Sequence, residues 1–130
     1  MFFHKEMSSA KTVLEKMGHT VYVPNELDNM SLNESYMDND KLRITAKIEY
    51  DFIREHFKKV EAADAILILN HPKNNIEGYI GGNTFLEMGY AYGLAKKIFV
   101  LFPIPPMDYY TEMMAMQPIV LNGKLELINN

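Results

Sequence analysis

The sequence contains no cysteine. That excludes disulfides, thiolate metal sites and cysteine nucleophiles together. No apolar run approaches the roughly 20 residues that a bilayer span needs. The opening stretch, MFFHKEMSSAKTVLEKMGH, turns charged before an apolar segment of signal-peptide length can accumulate. A cytoplasmic protein with no membrane partner is the expectation. Dense basic runs are missing too, and the formal net charge is -4; both speak against the phosphate-contacting footprint of a DNA- or RNA-binding protein. His4, His19, His56 and His71 show no paired ligand spacing such as the i, i+4 of a helical zinc site. Neither a metal nor a cofactor is expected. What remains as partner is a small molecule or another protein chain.

What is present reads as an ordinary globular composition, 48% hydrophobic and 23% charged over 130 residues. With no internal repeat, low-complexity tract or linker, residues 1–130 are expected to form one domain. Between Lys5 and Met17 the apolar residues Met7, Ala10, Val13, Leu14 and Met17 recur at helical spacing, and Gly18 follows as a C-capping glycine would. HTVYVP predicts a short strand stopped by Pro24. The polar stretch from Asn25 onward is a long loop. Asp40 to Ala62 predicts the longest helix, with two apolar stripes: Ala46, Tyr50, Ile53, Phe57 and Val60 on one face, Ile44, Ile48 and Phe52 on nearly the opposite one. ADAILILN and KIFVLF read as strands buried on both faces, separated by a loop from His71 to Gly82 and a helix from about Asn83 to Ala95. A short helical segment around TEMMAMQ and an edge strand in PIVL close the chain.

Helices alternating with buried strands imply an α/β fold with a mainly parallel sheet. Ligands of such sheets bind beyond the carboxyl ends of the strands. Asn25, Asn70 and His71, which follow predicted strands, are therefore candidate substrate contacts. Asp64 precedes its strand and falls on the opposite edge. Gly81 and Gly82 come between a strand and a helix, where backbone N–H groups could approach a ligand; the equally simple reading is a turn followed by Asn83 as helix cap. The pattern is neither GxGxxG nor a P-loop.

Glu87 stands out in GYIGGNTFLEMGYAYG because no lysine or arginine lies three or four residues from it. With Asn83 as cap it would occupy the fourth helical position, within reach of the positive helix end. Gly89 and Gly93 would give this helix a smooth strip for packing. A carboxylate so placed suits a nucleophile or an acceptor for a ribose hydroxyl, and equally an ordinary glutamate facing water.

The stretch from FIREHFKKVEAADAILILN through YIGGNTFLEMGYAYGLAKKIFVL resembles the nucleoside 2-deoxyribosyltransferase-like superfamily. Its E-x-G-x-A signature is matched by Glu87-Met88-Gly89-Tyr90-Ala91. The resemblance implies a flavodoxin-like three-layer domain and an enzyme that transfers or hydrolyses the N-glycosidic bond of a deoxynucleoside or nucleoside monophosphate. Glu87 would be its nucleophile; Gly81, Gly82, Asn83, Asn25, Asn70 and His71 would hold substrate. It also implies homodimers or larger homo-oligomers, in keeping with the second stripe on the 40–62 helix. The alternative is a noncatalytic nucleotide-binding or assembly protein. Members of the superfamily begin with a strand that this chain lacks before its first helix; in a 2-1-3-4-5 sheet that strand is internal. Its loss would leave TVYVP and AILILN apart or force them together. A rearranged sheet, a strand supplied by a partner, or a start internal to a longer protein would each answer it, and the last is the expectation.

Overall fold

The computed structural model describes residues 4–23, 44, 51–73 and 75–128. Helix α1, His4–Lys16, forms where the apolar period predicts it, and buries Ala10 and Leu14. Its end is a Schellman cap. The Gly18 N–H donates to Glu15 O and the His19 N–H to Leu14 O, with Gly18 at φ 97°. Glycine adopts that left-handed turn without a Cβ penalty. The next segment, 19–23, is not a strand. The β-branched residues there favour extended backbone, but a strand exists only through its ladder, and no described residue pairs with this one.

Of the long helix expected from Asp40 to Ala62, the described residues Ile44 and Phe52–Ala62 are helical. Asp51, the N-cap of the stretch from Phe52, sits in the left-handed region at φ 53°, and its carboxylate is 3.0 Å from the Arg54 guanidinium. Aspartate is among the few residues that tolerate this conformation. Helix α2, Phe52–Ala62, buries Phe52, His56 and Val60, whereas Ile53 is 41% exposed. The inward face therefore shares Val60 with the expected stripe but takes Phe52 in place of Ile53. A histidine hides inside it, and counting only apolar residues rotated the predicted face away from Phe52. The second stripe cannot be read as an outer surface at Phe52, which is buried within the chain; Ile44 is exposed.

Strand β1, Ala65–Ile68, pairs in parallel with β2, Lys97–Val100, which pairs in parallel with β3, Ile119–Val120. Helix α3, Gly82–Gly93, joins the first pair, and α4, Tyr110–Ala115, the second. The described sheet is thus a three-stranded, all-parallel α/β arrangement. Its central strand explains the core. Ile98 and Val100 point into a cluster with Val60, Ile68, Met88 and Met113, while Phe99 and Leu101 point to the other face with Leu121. Alternation along a strand that is apolar on both faces is what a parallel sheet covered on both sides requires. Each fully buried side chain of this size contributes roughly 1.5–3 kcal/mol. Strand β1 is less covered than expected: only Ile68 of its four residues is buried, because β1 forms the outer edge of the described sheet and borders a cleft.

Val21, Tyr22 and Val23 also line that cleft. The two segments that an internal first strand would separate do not pair with each other. The predicted packing strip on α3 is not realised: a Cβ at Gly93 would meet nothing within 4 Å, and one at Gly89 only the tip of Met116.

Candidate functional site

The carboxyl ends of β1 and β2 are tied together by one side chain. Asn70 is 1% exposed. Its amide nitrogen donates to Phe102 O at 2.8 Å and Gly78 O at 3.2 Å, and its carbonyl oxygen accepts the Phe102 N–H at 2.9 Å. These bonds pull the loop after β1 against the end of β2. The approach is so close at Gly78, φ 73°, that a Cβ there would lie 2.3 Å from the Pro103 carbonyl oxygen. A second tie comes from Tyr109, whose hydroxyl donates to Ile80 O at 3.0 Å and whose ring stacks on Phe85 at 4.3 Å. Burial, reinforced by the nearby Tyr79 and Asp108, raises the Tyr109 pKa above the ordinary phenol value. Pinned at Gly78 and Ile80, the chain delivers Gly81 and Gly82 to the start of α3.

The helix is capped two residues earlier than the sequence indicates. Gly81, with extended backbone, is the N-cap, and its carbonyl accepts the Phe85 N–H at 2.9 Å. Asn83 therefore lies inside the first turn and is not the cap. Glu87 moves to the sixth helical position, beyond the first turn where the helix dipole is strongest. A different partner takes over. His56 Nδ1 lies 2.9 Å from Glu87 Oε1, across the interface of α2 with α3. The histidine side chain is 9% exposed and the glutamate side chain 27%.

Neighbouring contacts fix this register. Phe57 stacks on Tyr90 at 4.2 Å with the rings 7° from parallel, and the Tyr90 hydroxyl donates to the Glu61 carboxylate. That bond, followed by desolvation and the Glu61 charge, raises the Tyr90 pKa. Residues 56, 57 and 61 of one helix thus meet 87 and 90 of the other, consistent with side chains three or four apart sharing a helix face. Glu87 has no cation on its own helix, as the sequence indicates, but it is paired across 31 residues of chain.

Glu87 opens onto a cleft of about 1090 Å³ between β1, segment 18–23, α1 and α2. Gly81, Gly82, Asn83 and Thr84 form its rim beside Glu87, and Tyr79 and Lys73 also line it. A Cβ at Gly82 would meet no atom within 4 Å, so the backbone at the helix start is open on that side. Of the residues singled out by sequence, the structure brings together Gly81, Gly82, Asn83 and Glu87. Asn70 is the buried tie that shapes their loop. His71 packs edge-on against Phe102 at 5.5 Å and is not part of the cleft lining. Asn25 lies outside the described residues. His56, Tyr79, Lys59 and Lys73 are the residues that sequence reasoning passed over. Only His56 left a usable signal there, its i, i+4 spacing between Phe52 and Val60.

No family model, characterised protein or solved structure matches the chain. Its chemistry must be sought in this geometry. Among the described residues there is no cluster of three or more histidines and carboxylates able to hold a metal ion, and no helix long and apolar enough to cross a membrane. Among the described residues the cleft offers one carboxylate held by a buried imidazole, an open glycine segment next to it, and the charged residues Lys11, Lys59, Lys73, Lys97, Asp64 and Glu87. Lys59 is committed in part, its Nζ donating to Val23 O at 2.7 Å. Such a site can present a nucleophilic oxygen to an electrophilic carbon.

Proposed function

We propose that this protein is a nucleoside 2-deoxyribosyltransferase-like enzyme of flavodoxin-like fold that cleaves the N-glycosidic bond of a deoxynucleoside or nucleoside monophosphate, with Glu87 as nucleophile. The observation that carries the reading is the placement of Glu87: a carboxylate on the cleft lining, on the helix that starts at the ligand-binding edge of a parallel sheet, about a turn and a half beyond the open Gly82. In retaining glycosyl transfer a carboxylate close to the anomeric carbon captures the sugar as the base departs through an oxocarbenium-like transition state. The glycine segment leaves room for a sugar beside that oxygen. Lys59 and Lys73 on the cleft lining support the monophosphate as a substrate. In the second half-reaction, a free base or water attacks the same carbon and releases Glu87.

The test is incubation with a panel of deoxynucleosides and their monophosphates, with and without a second free base, followed by chromatography of the bases. Exchange identifies a transferase and release alone a hydrolase. Glu87→Ala should lower either rate at least about 10⁴-fold, as removal of a nucleophile does, with its thermal unfolding recorded as a control. Wild type and Glu87→Ala that are equally inert, while a nucleotide still raises the melting temperature, would establish a binding module instead.

A further inference from the structure

We infer that His56 is the positioning residue for Glu87: its Nδ1–H donates to Oε1 and holds the carboxylate in one orientation, leaving Oε2 for the anomeric carbon. The inference rests on the nucleophile reading above, and adds to it a second residue, from another helix, with a defined proton.

The geometry supports each part. At 2.9 Å the Nδ1 to Oε1 distance is that of a good hydrogen bond, and a carboxylate oxygen accepts far more strongly than it could donate, so the proton belongs on the imidazole nitrogen. His56 is buried within α2 between Phe52 and Val60. Its ring is therefore held by packing, and the helix beneath it is locked to α3 by the Phe57–Tyr90 stack and the Tyr90–Glu61 hydrogen bond. Glutamate has three side-chain torsions and is otherwise free to turn into the cleft water. A fixed donor on one oxygen removes most of that freedom, which is how a neighbouring group makes a nucleophile effective.

The bond also divides its effect between the two half-reactions. In the first, the Oε2–C1′ bond forms as the C1′–N bond breaks; that electron pair leaves with the base, which takes a proton from cleft water. Oε1 then becomes an ester carbonyl and accepts less strongly from Nδ1–H. In the second, water or another base attacks C1′, the Oε2–C1′ pair returns to Glu87, and the attacking group's proton passes to the hydroxide left when the first base was protonated. Charge reappears on the carboxylate, and the same N–H stabilises it as a leaving group. Loss of the donor should slow release of the sugar more than its capture, so the glycosyl-enzyme accumulates.

Two measurements test this. Nitrogen-15 spectra of histidine-labelled wild type should show a protonated Nδ1 on His56, with its signal displaced in Glu87→Ala. In kinetics, His56→Asn, whose amide nitrogen falls near the position of Nδ1, should retain most of the rate. His56→Gln places its amide nearer the position of Nε2, and should lose about ten- to a hundredfold, the worth of one charge-assisted hydrogen bond. The loss should fall on kcat with a parallel fall in KM, because an accumulating glycosyl-enzyme lowers both, and intact-mass spectra should show more sugar-bearing protein in the Gln variant. An unprotonated Nδ1, or equal rates for the Asn and Gln variants, overturns the inference. The nitrogen spectrum needs no turnover, so a wild type inert toward the whole substrate panel refutes the nucleophile while the pairing is still judged by its own spectrum.

Discussion

Replacing Asn70 by leucine should be among the most damaging single changes in this protein, although the side chain belongs to a loop. The volumes are similar, so the effect isolates the loss of polar contacts. Three hydrogen bonds disappear, to Phe102 O at 2.8 Å, Phe102 N at 2.9 Å and Gly78 O at 3.2 Å. At a net value of about 1 kcal/mol each they amount to roughly 3 kcal/mol. Leucine would also keep water from the backbone groups left behind, and each orphan adds part of a penalty of about 1–3 kcal/mol, reduced by relaxation. An expected destabilisation of about 3–5 kcal/mol follows, against a total stability that for such domains is only about 5–15 kcal/mol. Equilibrium urea unfolding is the assay. The midpoint should fall while the slope stays as in wild type, since the surface exposed on unfolding is nearly unchanged. The melting temperature should drop by roughly 12–20 °C, taking about 4 °C per kcal/mol for a domain of this size. A loss below about 1 kcal/mol with an unaltered slope would refute the reasoning, because the backbone of Gly78 and Phe102 would then have other partners.

Two further changes probe the helix ends and the tyrosine tie. Ala95, φ 59°, holds the left-handed position of the Schellman cap on α3, with the Lys96 N–H donating to Ala91 O at 2.9 Å; Ala95→Gly should raise stability by about 1 kcal/mol, and an unchanged urea midpoint would contradict that backbone geometry. Tyr109 has a raised pKa in the folded protein, so the native state keeps its phenolic proton where the unfolded chain loses it. The associated stability is complete below the ordinary tyrosine value of about 10 and is lost as pH rises through the folded value. Tyr109→Phe should therefore be weaker than wild type at neutral pH by about 0.5–1.5 kcal/mol, the value of its bond to Ile80 O. The gap should narrow in alkali, and unfolding curves that stay parallel up to the alkaline limit would count against the assignment.

How much of this could be read in advance depended on whether the cause was local. Helix α1 and its glycine cap, the strands in AILI and KIFV and the short edge strand in PIVL follow from patterns a few residues long, and the structure contains them. The strand expected in TVYV does not form within the described residues, since strand formation needs a neighbour and propensity cannot supply one. The inward face of α2 was misjudged because His56 is polar by type yet buried by circumstance. Asn70 illustrates the same limit from the other side. Its position after a strand marks it for the ligand edge, but whether its amide faces a ligand or its own backbone depends on how closely residues 78 and 102 approach. That separation is set by the paired strands and the turn at Gly78.

The sequence by itself determined the alternation of helix and buried strand, the absence of thiol chemistry, and the isolation of Glu87 from any cation on its own helix. Periodicity and composition are properties of neighbouring residues, and a linear reading captures them. Only the tertiary structure decided that Glu87 is not alone. Its partner lies 31 residues away, on a helix whose rotation is set by Phe57 against Tyr90 and by Phe52 and Val60 in the core. A hydrogen bond requires its two atoms within about 3 Å, and no local pattern in a chain records a distance of that kind.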